Sequence, residues 1–255
     1  MTYKDLHFEY IKGTKKSNIK FVLLHGWGHS LENLKPIASE LFDYDCYLID
    51  LAGFGKSPLP KEFLSLQDYT KMIADFIKNT FKKGEKVYLI GHSFGGRISI
   101  YLARKKPELL NGIFVISGAG LKKRKSIFKK GIILGAKILR NIYNYLGLDI
   151  MKSKLYKMYY ERFASQDYKN AKPIMREILK KTVAKDLSNS AKRITVPTVL
   201  IYGENDTVTP PYFGKKYHKL IKKSSLYILP TYNHNTILSA GKYQVSSIII
   251  NSIKE

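Results

Sequence analysis

The chain reads as an α/β protein, with a mostly parallel central sheet flanked by helices and a helical lid inserted before the late strands. Three observations predict this. Short apolar runs alternate with amphipathic helical patterns, the punctuation of βαβ units. Runs such as Phe21-Val22-Leu23-Leu24 are apolar without alternation, as a strand buried on both faces must be. After Gly120 the strand pattern stops, only helical patterns follow over 121 to about 193, and strands resume at Val196.

In chain order, a strand is predicted at about Leu6–Ile11, turning through Gly13–Asn18 into a second at Phe21–Leu24. Helix Leu31–Phe42, strand Tyr47–Asp50, helix Leu66–Phe81, strand Val87–Ile90, helix Phe94–Lys105 and strand Gly112–Ser117 follow. Past the insertion come Val196–Tyr202, a helix, and Ser225–Leu229. The expected organisation is a core of residues 1–120 and 194–255 with a lid of residues 121–193. With 255 residues and 44% hydrophobic content the chain can bury one sizeable core. The single cysteine, Cys46, argues for a disulfide-free protein, and Met1–His7 carries no apolar signal stretch. The expected location is the cytoplasm, without stable membrane insertion, since lysines break every apolar stretch well short of a bilayer span.

Chemistry concentrates in Gly91-His92-Ser93-Phe94-Gly95-Gly96, which joins a predicted strand to a predicted helix. A serine between glycines at such a junction suits a strained turn that exposes the hydroxyl above the sheet and aims the first helix amides at it. A serine hydroxyl needs a base, and the base needs an acid to hold its tautomer. Asp206 follows the strand ending at Tyr202, and His234 follows the last predicted strand, so the chain order is Ser, Asp, His. The helix-cap reading of Asp206 competes, and Glu204 is the nearby rival carboxylate. Of the other histidines, His92 is expected to point away from the serine, while His7, His29 and His218 sit in polar surroundings and read as solvated. The loop His25-Gly26-Trp27-Gly28 is expected to bring the Trp27 amide to an oxyanion hole shared with Phe94, although the indole equally suits a pocket wall or loop packing. Asp50 reads as a loop-bracing carboxylate. No phosphate-loop pattern and no His/Cys/Asp spacing for a metal is found, so neither cofactor nor metal is expected.

HGWG at 25–28, DLAGFGKS at 50–57, GHSFGG at 91–96, GENDTVTP at 203–210 and NHN at 233–235 resemble the α/β-hydrolase superfamily over essentially the whole chain. Within it, the resemblance is nearest to bacterial pimeloyl-acyl-carrier-protein methyl ester esterases of biotin synthesis. The residues point to a serine hydrolase acting on a carboxylic ester, and the resemblance implies a methyl ester of a carrier-linked acyl chain. A generic carboxylesterase, a thioesterase, a C–C bond hydrolase and a non-catalytic ligand receptor are the alternatives.

The formal net charge is +24, from 44 Lys+Arg against 20 Asp+Glu. Residues 121–193 hold 20 of those cations and 5 of those anions, opening with Lys122-Lys123-Arg124-Lys125. The stretch 127–146 reads as a basic amphipathic helix. Either its lysines are a solvated face, or they dock an acidic carrier protein or an anionic surface. Nucleic acid is not expected, because no recognition motif accompanies the charge.

Overall fold

The computed structural model describes residues 1–122 and 171–253, with positions 135, 138, 141–143, 145 and 147. The chain divides into two compact units, Met1–Leu121 with Pro173–Glu255, and Lys122–Lys172. Lys123, Arg124, Lys125 and most of the expected lid, including the greater part of its amphipathic stretch, lie outside the described residues.

The first unit is built on a seven-stranded sheet: β1 (Phe8–Ile11), β2 (Ile19–Leu24), β3 (Asp45–Ile49), β4 (Lys86–His92), β5 (Gly112–Ile116), β6 (Thr198–Gly203) and β7 (Ser224–Leu229). Its order is β1-β3-β2-β4-β5-β6-β7, with β1 antiparallel to β3 and every other neighbouring pair parallel. Strands β5 and β6 are buried at every residue, as central parallel strands covered on both faces must be. The edge strands β1 and β7 alternate between more and less exposed positions, because water reaches one of their faces.

The helices of this unit are α1 (Lys35–Glu40), α2 (Leu66–Thr80), α3 (Phe94–Lys105), α4 (Pro173–Ala184), α5 (Ser188–Ala191), α6 (Pro211–Leu220), α7 (Thr236–Ser239) and α8 (Lys242–Ser252). Ser65 caps α2 reciprocally: Asp68 N–H donates to its hydroxyl at 3.3 Å while Ser65 N–H donates to the Asp68 carboxylate at 2.8 Å. Helices α1, α7 and α8 pack together, as do α2 with α3 and α3, α5 and α6 in series. Phe21, Leu23, Ile90, Phe114, Ile116 and Ile201 meet Leu34, Ile37, Val245 and Ile249 in one buried cluster. Their strand neighbours Val22, Leu24, Leu89, Val115 and Leu200, also buried, face the opposite side by the two-residue period of a strand.

The predicted helix over 31–42 is a 3-10 turn at Leu31–Leu34 followed by α1, because Pro36 has no N–H to continue the first turn's hydrogen bonding. The first strand starts at Phe8 because Tyr3–Asp5 forms a 3-10 turn. From β2 the chain moves outward to β3, and from β4 it moves the other way to β5. The loops leaving β2 and β4 therefore diverge, which opens a crevice at the carboxyl edge of the sheet.

Candidate active site

Ser93 sits in that crevice, between β4 and α3, with φ 49° and ψ −103°. A left-handed φ at a non-glycine residue costs on the order of 1–3 kcal/mol and persists only where the surroundings enforce it. Here they do. Ser93 N–H donates to Ile116 O at 3.0 Å, Ala119 N–H donates to Ser93 O at 3.1 Å, and Gly95 N–H donates to His25 O at 3.0 Å. The flanking glycines are required by space. A methyl on Gly91 would lie 2.5 Å from the Gly95 carbonyl, and one on Gly95 would overlap the Leu24 carbonyl of β2.

Asp206 and His234 meet on the loops that leave β6 and β7. His234 Nδ1–H donates to Asp206 Oδ2 at 2.7 Å, and the Asp206 side chain is fully buried. Its other oxygen accepts Val208 N–H and Thr209 N–H, each at 2.8 Å. Burial alone would raise the Asp206 carboxyl, but the His234 bond and charge together with the Thr209 amide hold it below its ordinary value. An ionised Asp206 only accepts, so the proton lies on Nδ1 and leaves Nε2 as the basic nitrogen. Asn205 N–H to Tyr232 O at 2.9 Å and Glu204 N–H to Leu229 O at 2.8 Å lace the two loops together. Asn233 fixes the His234 turn, its Oδ1 accepting Asn235 and Thr236 amides, each at 3.0 Å. The rival carboxylate, Glu204, is exposed and turned to solvent.

Three further histidines are held by contacts within the fold. His92 is fully buried and turned onto His234: its Nε2–H donates to His234 O at 2.9 Å, with the two rings 4.7 Å apart. This ties the His234 loop to the residue before Ser93. Burial holds the His92 imidazole well below the usual histidine range, hence uncharged. His29, expected to be solvated, stacks parallel on His92 at 5.6 Å. His7 is also not free, since its Nδ1 lies 3.0 Å from Asp50 Oδ2. Asp50 braces its loop by accepting Leu31 N–H at 2.8 Å and Lys56 N–H at 2.9 Å.

On the facing loop, His25 is buried, donating from Nδ1 to Gly26 O at 2.7 Å and accepting Leu51 N–H on Nε2 at 2.9 Å. The Trp27 indole packs edge-on against Phe54 at 4.8 Å and Phe94 at 5.2 Å, and Phe94 packs in turn on Tyr69 at 5.2 Å. The indole is thus largely loop packing, being 9% exposed. Among the described residues the Trp27 and Phe94 amides donate to no protein acceptor, unlike Gly95. Phe54, Tyr69 and Thr209 are the site neighbours to which the sequence patterns gave no role.

Arg97, four residues after Ser93, is buried and reaches the end of α4. One guanidinium nitrogen donates to Thr182 O at 2.6 Å and to Lys185 O at 2.7 Å. Among the described residues no group of three or more His, Cys, Asp or Glu side chains is arranged to hold a metal, and no helix is long and apolar enough to cross a membrane.

Residues 20–240 match the family model of the alpha/beta hydrolase fold. A protein of Bacillus subtilis described as the uncharacterized hydrolase YugF is 25% identical over 246 residues, covering 90% of this chain and 88% of that protein. The pimeloyl-[acyl-carrier protein] methyl ester esterase of Wigglesworthia glossinidia brevipalpis is 27% identical over 241 residues, covering 87% and 89%. Among solved structures, a lipase-esterase related protein from Clostridium acetobutylicum superposes with a TM-score of 0.71 at 25% identity, covering 96% of this chain and 98% of that one.

Proposed function

Because the chain belongs to the α/β-hydrolase family, we propose that it hydrolyses a carboxylic ester with Ser93 as nucleophile, His234 as base and acid, and Asp206 as the carboxylate that orients the imidazole. The observation that carries this is the 2.7 Å bond between His234 and buried Asp206, held against the elbow that presents Ser93 by the His92 bond to the His234 carbonyl. His234 Nε2 takes the Ser93 proton as Oγ bonds to the ester carbonyl carbon. The resulting oxyanion is met by the Trp27 and Phe94 amides, the second of which lies at the positive end of α3. Collapse expels the alkoxide, which leaves as the alcohol with the proton from His234. Water then gives its proton to the same nitrogen, attacks the acyl carbon and releases the acid, restoring Ser93.

For the substrate we propose a methyl ester on an acyl chain carried by an acidic carrier protein. The likeness to a pimeloyl-[acyl-carrier protein] methyl ester esterase and the net charge of +24 support it. A generic carboxylesterase is the second reading, favoured by the likeness to the lipase-esterase related protein.

The test is a panel of p-nitrophenyl esters of graded acyl length with a carrier-linked methyl ester, alongside fluorophosphonate labelling. Ser93→Ala should abolish labelling and lower kcat on the order of 10⁶-fold with an unchanged circular dichroism spectrum. Activity within tenfold of wild type sinks the assignment, and no turnover of any ester points to a receptor. Glutamine at Lys122, Lys123, Arg124 and Lys125 should slow only the carrier-linked ester, with the deficit shrinking at high salt. Equal turnover of that ester by both proteins leaves the carboxylesterase reading.

A further inference from the structure

The segment that follows β5 is held carbonyl by carbonyl. Ser117 O accepts the Thr209 hydroxyl at 2.8 Å, Gly118 O the Tyr202 hydroxyl at 2.9 Å, Ala119 O the Tyr217 hydroxyl at 2.9 Å, and Gly120 O the Leu187 amide at 2.8 Å. This segment backs the nucleophile, since Ala119 N–H donates to Ser93 O. It begins at a bend forced on Ser117, whose φ is 47°.

Thr209 differs from the two tyrosines in having three polar neighbours. Its Oγ1 lies 2.8 Å from Ser117 O, 2.9 Å from Asp206 Oδ2 and 3.1 Å from His234 Nδ1. A hydroxyl has one proton, while the carbonyl and the ionised carboxylate both only accept. The proton therefore serves one of them at a time. Turned to Asp206, it gives the carboxylate a further side-chain donor beside His234 and the neighbouring Ser117 hydroxyl. Turned to Ser117, it leaves Asp206 to the imidazole and offers a lone pair to the Nδ1–H as well.

We propose that Thr209 is a positioning residue: its hydroxyl joins the Asp206–His234 pair to the segment backing Ser93 and divides the Asp206 charge between itself and the imidazole. This rests on the reading of Ser93, His234 and Asp206 as the catalytic groups. The other titratable groups here are His92 on β4, with His29 stacked on it, and Tyr202 on β6. Burial keeps His92 uncharged and Tyr202 protonated.

The experiment compares Thr209→Val, which keeps the shape and removes the hydroxyl, with Thr209→Ser, which keeps the hydroxyl. Both retain the backbone amides that bind Asp206 Oδ1. In Thr209→Val, kcat/KM should fall roughly tenfold. Its acidic limb should move up by on the order of half a pH unit, because an undivided carboxylate holds the imidazolium more firmly. The low-field proton resonance of the His234–Asp206 hydrogen bond should shift with it, a readout independent of turnover. Thr209→Ser should return all three towards wild type. An unmoved limb and resonance in Thr209→Val overturn the proposal, and so does failure of Thr209→Ser to restore them, which would assign the effect to the lost methyl. If Thr209→Val does not fold, Thr209→Ala carries the same comparison. Ser93→Ala separates the two claims: an active Ser93→Ala removes the catalytic reading, whereas an inert Ser93→Ala beside an unmoved Thr209→Val removes only the role of Thr209.

Discussion

Gly95→Ala sets two opposed effects against each other. In an exposed helix interior, alanine in place of glycine stabilises by up to about 1 kcal/mol. At this position in α3 the added methyl would overlap the Leu24 carbonyl oxygen and lie 2.6 Å from its carbon and 2.8 Å from Leu24 Cβ. Ordinary contact between carbons is about 3.5–4.0 Å, so the helix start must withdraw by about 1 Å. The obstacle is backbone of a central strand, which cannot swing aside. Overpacking of this kind costs about 1–3 kcal/mol, and stretching the Gly95 N–H to His25 O bond adds about 1 kcal/mol, so packing outweighs propensity. The Phe94 amide one residue earlier moves with the helix. A misplacement of about 1 Å at a reacting centre costs on the order of 10² in rate. Thermal unfolding and kcat on a p-nitrophenyl ester measure the two losses. Gly84→Ala is the control: its φ is +97° but no atom lies within 4 Å of the added methyl, so only a backbone penalty of about 1–2 kcal/mol and no kinetic change should follow. A Gly95→Ala protein with wild-type melting temperature and kcat within threefold would refute the reasoning.

Asp206→Asn should lose roughly 10⁴ in kcat, as expected when the imidazole tautomer is no longer held, while exposed Glu204→Gln stays near wild type; interchange of the two effects in steady-state assays would reassign the acid. Arg97→Met should lower stability by about 2–3 kcal/mol in urea titrations, because the Thr182 and Lys185 carbonyls lose a charged donor in a buried setting, and a change below about 0.5 kcal/mol would contradict that account. Burial lowers His25 to about 4 from an unfolded value near 6.5, so its contribution is complete above pH 6.5 and lost as pH falls towards 4. The unfolding free energy should therefore drop by about 3 kcal/mol across that window, with buried His92 adding to the loss, and a flat profile would count against a neutral His25.

The elbow is legible from local sequence because its constraint is local: a strained serine needs neighbours without side chains, and Gly91 and Gly95 supply them. Asp206 and His234 are legible through chain order, since each follows a strand and strands announce themselves by composition. The neighbours that refine the site are set by strand register, which composition does not reveal. Ile116 pairs with Ile201, and that register brings Ser117 beside the loop carrying Thr209. His29 looks solvated from its polar neighbours, yet it lies against His92, more than sixty positions along. Helix α8 is not legible in the sequence because its apolar run Ile248-Ile249-Ile250 shows little helical periodicity. It is placed by packing against α1.

The pairing of β5 with β6 joins stretches of chain separated by everything from Ser117 to Pro197. During synthesis, strands β1 to β5 and the serine leave the ribosome first, and they can associate while β5 still presents a bare edge. Until β6 docks, Ser117 N–H lacks Ile201 O, and neither the Thr209 nor the Tyr202 hydroxyl is present to fix the segment behind Ser93. Asp206 follows β6 directly, and His234 comes last, after β7. Under the proposed mechanism, a nascent chain therefore carries its serine without the groups that would activate it, and reactivity would come only with the closing of the sheet.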